Sequence, residues 1–240
     1  MDVNKNSYTF TFSAILVIVV GAVLAFTAES LKPLQKENVR LEKMQNILAS
    51  VKIEATPEEA SAKFDQYIVE QIMLSNKGEV ISPEGKTAFD IDVVKEYKTL
   101  DDAERSYPLF VFEDNGERKY IVPLAGKGLW GPIWGYIAFD GDMNTVYGST
   151  FDHKTETPGL GAEINQPSFQ DKFIEKTIFD EGGKFVSVEV VKGGTDVEGD
   201  DHRVDGISGG TITSKGVGEM IERTLNIYVP YFKGNQKASL

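Results

Sequence analysis

Asp205-Gly-Ile-Ser-Gly-Gly-Thr-Ile-Thr-Ser-Lys-Gly-Val217 organises the reading of the chain, because it sets small residues and hydroxyls directly ahead of a helical repeat. Gly206, Gly209 and Gly210 let the backbone turn sharply and approach a ligand closely. The free N–H groups at a helix start favour an anion, and Ser208, Thr211, Thr213 and Ser214 add four hydroxyls. A phosphate suits such a place, and so does a plain Ser/Thr helix cap with no ligand. Beyond it, Val217, Met220, Ile221, Thr224, Leu225 and Tyr228 recur at helical spacing. They predict a last helix that docks one face on a sheet and ends at Pro230.

Working outward, Ser208-Gly-Gly-Thr-Ile-Thr213 resembles the Ser/Thr-Gly-Ala-Thr-x-Thr flavinylation motif of the FMN-binding domain family, with Gly210 in place of the usual alanine. The resemblance implies FMN joined through its phosphate to the last threonine, Thr213, with Ser208, Gly209, Gly210 and Thr211 around it. Thr211 is the alternative attachment point. Gly126-Lys-Gly-Leu-Trp-Gly-Pro-Ile-Trp-Gly-Tyr136 and Glu156-Thr-Pro-Gly-Leu-Gly161 are similar to segments of the C subunits of sodium-translocating NADH:quinone oxidoreductases. That likeness makes Gly128, Leu129, Trp130, Glu156, Thr157, Leu160 and Gly161 the candidates for positioning the flavin ring. The G subunits of Rnf complexes share the flavin motif. The resemblance further implies an electron-carrying part of a membrane redox complex, matured by a separate metal-dependent flavin transferase that takes FAD as donor. It places the soluble domain on the periplasmic side of a bacterial inner membrane.

Composition restricts the chemistry independently. The 240 residues carry a net charge of −12 with no basic stripe, so a nucleic-acid backbone would be repelled. With no cysteine and only His153 and His202, disulfides, thiol catalysis, cysteine-ligated clusters and a histidine-rich metal site are excluded or disfavoured. Electrons moved by this chain need an organic carrier.

No charged residue occurs between Asn6 and Ala28, and Phe10 to Phe26 is strongly apolar, which is enough for one membrane-spanning helix over 7–28 after a short tail, 1–6. A cleaved signal peptide, with Val23-Leu-Ala25 as a weak cleavage site, is the competing reading. Lys5 precedes the run whereas Lys32, Lys36, Arg40 and Lys43 follow it. That count favours an inward-facing domain, opposite to the side implied by the resemblance. The span itself offers no charge to an ion in transit.

A helical connector, 29–55, comes next, with its helix entered through Pro33 and running from Leu31 to Lys52. Thr56-Pro-Glu-Glu59 is a capping-box signature that opens the main domain, 56–232, with a helix reaching about Leu74 and burying Ala60, Phe64, Ile68 and Ile72. Alternation in Ala88-Phe-Asp-Ile-Asp-Val-Val94 predicts a strand. Two hairpins are expected, around Asp114-Asn-Gly116 and Asp140-Gly-Asp142. Trp130 and Trp134 lie ahead of the second, where a flat ring could lean on exposed backbone. Pro167 to Lys176 reads as a short helix and Phe185 to Val191 as a strand, with Val186, Val188 and Val190 on one face. A C-terminal tail, 233–240, closes the chain. The fold class is α+β: one N-terminal transmembrane helix, then a single FMN-binding domain with a mainly antiparallel sheet and packed helices.

A threonine hydroxyl needs a base before it attacks phosphorus. The motif holds none, and Lys215 is its one cation. Asp205 and His202 are near in sequence. Two other functions compete with the electron carrier. One is an anchored extracytoplasmic binding or sensory module. The other is a hydrolase built on the Gly206-Ile-Ser-Gly-Gly210 elbow pattern with His153 or His202, which requires strand to give way to helix at Ser208 itself.

Overall fold

A computed structural model describes residues 5–236; of the tails expected at the two ends, 1–4 and 237–240 lie outside the described residues. Helix α1 (Asn6–Ser50) runs without a break through Pro33, where the sequence predicts that a separate helix begins. Good helix formers on both sides carry it across the one backbone bond that proline cannot make. Within it Phe10, Ile15, Val17, Ile18, Leu24 and Phe26 face outward, and α1 is long and apolar enough to cross a membrane by length and composition. Contacts divide the chain after Lys43. The last turns of α1, from Met44, belong to the larger unit, where Ile47 and Leu48 are fully buried.

Helix α2 (Pro57–Tyr67) begins as its sequence signature predicts, with Thr56 N–H donating to Glu59 Oε2 at 3.2 Å. It stops earlier than expected. Ile68–Leu74 is strand β1, and Ile68 and Ile72 are buried as strand residues. Their spacing of four fits a two-residue period as well as a helical one, and the pairing with a long neighbouring strand decides between them. After the short strand β2 (Val80–Ile81), the strand predicted at Ala88–Val94 is instead a 3₁₀ turn, Ala88–Asp90, then helix α3 (Val93–Thr99). The aspartates that suggest the polar face of a strand act as caps. Asp90 Oδ2 accepts from Thr87 N–H at 2.8 Å and Asp92 Oδ1 from Lys95 N–H at 2.9 Å.

Strands β3 (Tyr107–Asp114), β4 (Glu117–Lys127), β5 (Pro132–Phe139) and β6 (Val146–His153) form the two predicted hairpins. Asn115 and Gly116 take φ of 50° and 84°, as a tight two-residue hairpin requires. The sheet order is β2-β1-β3-β4-β5-β6, antiparallel throughout. Helix α4 (Pro167–Gln170) and a 3₁₀ turn to Phe173 replace the longer helix expected there. They bring Phe169 and Phe173 onto Phe151.

Strand β7 (Glu189–Val191) pairs in parallel with β8 (Arg203–Asp205). It is shorter than predicted because Ser187, at φ 63°, breaks the extended run. Val188 and Val190 are buried and Val186 is not. Helix α5 (Thr211–Gln236) continues past Pro230 instead of ending there. Tyr228 and Phe232, one on each side of the proline, are fully buried, and Tyr228 Oη donates to Pro108 O at 2.7 Å. Packing on both sides outweighs the missing N–H. Lys233–Gln236, which the sequence reading assigns to the tail, are therefore helical.

Two glycines set the height of α5 over the sheet. A Cβ on Gly216 would fall 2.5 Å from Lys127 O, and one on Gly126 2.8 Å from Met220 Cβ. The first turns of α5 thus lie directly on the end of β4. Replacing Gly216 by alanine should destabilise the domain by about 1–3 kcal/mol despite alanine's better helix propensity. Gly234→Ala, which meets nothing within 4 Å, should instead stabilise it by about 0.5–1 kcal/mol. Urea unfolding of the two variants measures the contrast.

Candidate functional site

The turn from Ile207 to Gly210 delivers the chain into α5. Gly209 has φ 79°, a conformation that side chains rarely adopt. Gly210 N–H donates to Ile207 O at 3.0 Å, and Ile207 N–H donates to Ser214 Oγ at 2.9 Å, locking the turn onto the first helical turn. Ser214 N–H closes a helical bond to Gly210 O at 2.9 Å. The N–H groups of Thr211 to Thr213 point out of the helix end. At Gly210, a Cβ would press within 3.0 Å of Ile207 Cγ2 and 3.1 Å of Leu160 O. The glycine found here in place of the motif's alanine fits that tight contact.

Thr213 is the third residue of α5, and its Cα–Cβ bond tilts back toward the helix start. The residue is 1% exposed, and its hydroxyl donates to Glu156 Oε2 at 2.5 Å. Glu156, 5% exposed, comes from the loop after β6. Its other oxygen, Oε1, accepts from Trp130 N–H at 2.8 Å and Gly131 N–H at 3.2 Å, both in the connection between β4 and β5. The loop is steadied by Glu156 N–H donating to His153 Nδ1 at 3.3 Å. Burial pushes the Glu156 carboxyl up, but the hydrogen bonds from Thr213 and from the backbone of Trp130, Gly131 and Leu129 outweigh it and hold the group below its ordinary range. At neutral pH the side chain is a carboxylate.

Two of the predicted glycines make room for that carboxylate. A Cβ on Gly128 would lie 2.6 Å from Glu156 Oε1, and one on Gly161 would lie 2.6 Å from Oε2 and collide with Thr213 Oγ1. Above the pair opens a cleft of about 340 Å³ lined by Leu129, Trp130, Glu156, Thr157, Leu160, Gly161 and the segment Gly209 to Thr213. Thr157 O accepts from both Leu160 and Ala162 N–H at 3.1 Å and shapes the wall. Trp130 is 67% exposed, and Leu129, Leu160 and Ile212 also present open apolar surface. Gathered around one cleft, these side chains form a contiguous apolar rim of the kind that marks ligand-binding grooves.

Eleven residues thus converge that are spread over more than eighty positions in sequence. Of the predicted set, Gly128 sits beneath Glu156 and Ser208 lies exposed in the turn outside the lining. Ile212 joins the lining although the sequence reading does not single it out. Its signal is that it is apolar yet falls off the buried stripe of α5. Trp134, a sequence candidate beside Trp130, lines a different cavity with Tyr136 and Thr150.

Neither acid–base candidate near the motif in sequence reaches Thr213. Asp205 is engaged by Lys172 Nζ and by Gly194 N–H, and His202 Nδ1 is 2.7 Å from Thr177 O. Glu156, 57 residues away and expected as a ring contact, is the group that holds the hydroxyl. Ser208 is no nucleophile elbow: β8 ends and α5 begins three residues to either side of it, and it is absent from the strained left-handed positions among the described residues.

The FMN-binding domain family matches residues 128–226, the stretch that contains every wall of the cleft. The chain is 32% identical to the C subunit of the Na(+)-translocating NADH-quinone reductase of Pseudomonas aeruginosa, over 91% of each protein. It is 31% identical to that of Neisseria meningitidis, over 95% of this chain and 94% of that one. Among solved structures, the C subunit from Parabacteroides distasonis superposes with a TM-score of 0.75 at 46% identity, covering 84% of this chain and 96% of its own. NqrC of Shewanella oneidensis gives 0.67 at 27% identity, covering 81% and 98%. With relatives aligned along nine-tenths of its length and the same architecture in crystals, this chain belongs to the NqrC family, the C subunits of Na(+)-translocating NADH-quinone reductases.

Proposed function

We propose that the chain is the FMN-carrying subunit of a Na(+)-translocating NADH-quinone reductase, with the flavin joined through its phosphate to Thr213 Oγ1. The observation that carries this reading is a single buried hydroxyl, held by Glu156 at the open end of α5, on the floor of a cleft with an apolar rim. The residues present fit the group at both ends. The N–H groups of the first turn of α5 and the adjoining Gly209–Gly210 backbone suit a phosphate. Trp130, Leu129, Leu160 and Ile212 offer flat apolar contact to a ring. Thr211 and Thr157 add hydroxyls around it, while Ser208 stays outside the lining.

When bound, FMN supplies the electron-accepting and electron-donating chemistry that no side chain of this cysteine-free protein provides. The chain's own contribution is retention, orientation and shielding. An ester at Thr213 makes retention independent of flavin concentration. The rim would bear on the ring, and the depth of Thr213, 1% exposed, would shield the ester from water.

Attachment is assigned to a separate flavin transferase that uses FAD, since nothing in the motif neutralises a transferring phosphoryl group except exposed Lys215. We place the apolar part of α1, 7–28, as a single pass through a bacterial inner membrane, with the connector 29–55 leading to a periplasmic domain over 56–232. Support comes from the length and composition of α1 and from the membrane setting of an NADH-quinone reductase. Sodium movement falls to other subunits, because 6–28 carries no charge. Relatives aligned along nine-tenths of the chain are C subunits of the reductase, which favours this reading over both the G subunit of an Rnf complex and a sensory module.

Full-length protein made together with a flavin transferase should show flavin fluorescence in a denaturing gel. Thr213→Val should abolish that signal, while Thr213→Ser and Thr211→Val keep it. In loaded protein, Trp130→Ala should leave the amount of flavin unchanged but shift its absorbance maxima and its reduction potential, read by spectroelectrochemistry.

A further inference from the structure

Flavin attachment at Thr213, on which the present inference rests, sets a chemical demand that the chain is equipped to meet. The attacking atom is an alcohol oxygen, inert until its proton is taken. The proton of Thr213 already lies on a hydrogen bond to Glu156 Oε2, 2.5 Å away. Oε1 of the same carboxylate is pinned by the N–H groups of Trp130 and Gly131, so Oε2 has little freedom to aim elsewhere. The absence of side chains at Gly128 and Gly161 clears the space the carboxylate occupies. A helix cap needs none of this, since a capping threonine acts through its own oxygen toward backbone N–H groups, not by donating to a buried carboxylate.

We infer that Glu156 is the general base for its own domain's flavinylation, built into the acceptor and not borrowed from the transferase. The bond between Thr213 Oγ1 and the phosphorus of the FMN half of FAD forms. The pyrophosphate bond from that phosphorus to the bridging oxygen breaks, and AMP leaves with that oxygen. The hydroxyl proton passes to Glu156 Oε2, and nothing is oxidised or reduced. Attachment removes the Thr213 hydroxyl that favours the charged carboxylate and sets a negative phosphodiester beside it, so the carboxyl then keeps the proton and can donate to an oxygen of the new ester. The transferase then has to supply the metal and the grip on FAD, while the acceptor supplies an activated oxygen. That division explains why a Ser/Thr-rich turn with several exposed hydroxyls, Ser208 and Thr211 included, would be modified at one buried position: Thr213 is the hydroxyl that holds the base.

The test is the rate of flavin uptake by the full-length chain, followed by intact mass with FAD, Mg²⁺ and a purified flavin transferase, alongside a thermal melt of each variant. Glu156→Gln keeps the shape and an oxygen for Trp130 and Gly131 but removes the base. It should melt near wild type and lose about a hundredfold in maximal loading rate, the scale expected of general-base catalysis, while the acceptor concentration for half-maximal rate stays unchanged. In Glu156→Ala, added formate should speed loading where chloride at equal ionic strength does not. Loading of Glu156→Gln within a factor of about three of wild type would overturn the inference, being far short of what a lost base removes. So would a slow variant that also melts early, with no response of Glu156→Ala to formate, because the carboxylate would then be structural only. A wild-type chain that takes up no flavin, or takes it up equally as Thr213→Val, would instead overturn the attachment site itself.

Discussion

The hydrogen bond between Thr213 and Glu156 is the constraint around which the functional end of this domain is arranged. A carboxylate with 5% exposure is tolerated only when its oxygens are satisfied. Here one oxygen is satisfied by the β4–β5 connection and the other by the start of α5. Three segments far apart in sequence are thereby held in one register. Losing any donor leaves part of a buried charge unpaired, at a cost of about 1–3 kcal/mol or more. The order of the cleft and the order of the local fold therefore depend on the same contact.

The remainder of the domain supports that contact. The antiparallel sheet fixes where β4 ends, and the Gly126 and Gly216 contacts let α5 settle directly upon it. The tyrosine and phenylalanine flanking Pro230 anchor the far end of the same helix. A helix clamped at both ends presents its N-terminus at a fixed height, with its first N–H groups facing the cleft. The apolar rim is the complementary feature: Trp130 rises from the connection that clasps Glu156 and Leu160 from the loop that carries it, so the walls that would receive a ring are carried by the elements that set the carboxylate. In the proposed carrier, ring placement and attachment would therefore rest on one set of elements.

Much of this is legible in the sequence, though unevenly. The hairpins are readable because Asp114-Asn-Gly116 allows few other backbones; small residues before a helical repeat suit either an anion or a plain cap, and it is the resemblance of Ser208–Thr213 to a family pattern that marks the flavin motif. Ile68 to Leu74 misleads because an apolar spacing of four serves two periods, and Asp90 and Asp92 because an aspartate in an alternating run looks like a polar face until its backbone partner is known. Pro33 and Pro230 look like local punctuation, whereas strong flanking propensity overrides the first and tertiary packing the second. The role of Glu156 is hidden for a different reason: likeness to a family segment singles the residue out as a ring contact, not as the partner of Thr213. Glu156 lies 57 positions from Thr213, and a long-range pair between a loop and a helix start leaves no periodicity to detect. Its trace is indirect, in Gly128 and Gly161, whose lack of side chains makes sense only once something bulky is known to sit against them.

Thr213 Oγ1 is the atom on which the flavin-carrier reading stands, and its state can be observed directly. Trypsin should release Val204–Lys215 from protein purified out of its native membranes, and tandem mass spectrometry of that peptide locates any added group. The account predicts an FMN phosphoester on Thr213, with Ser208, Thr211 and Ser214 unmodified. An unmodified peptide, or flavin carried on any other residue, would contradict it.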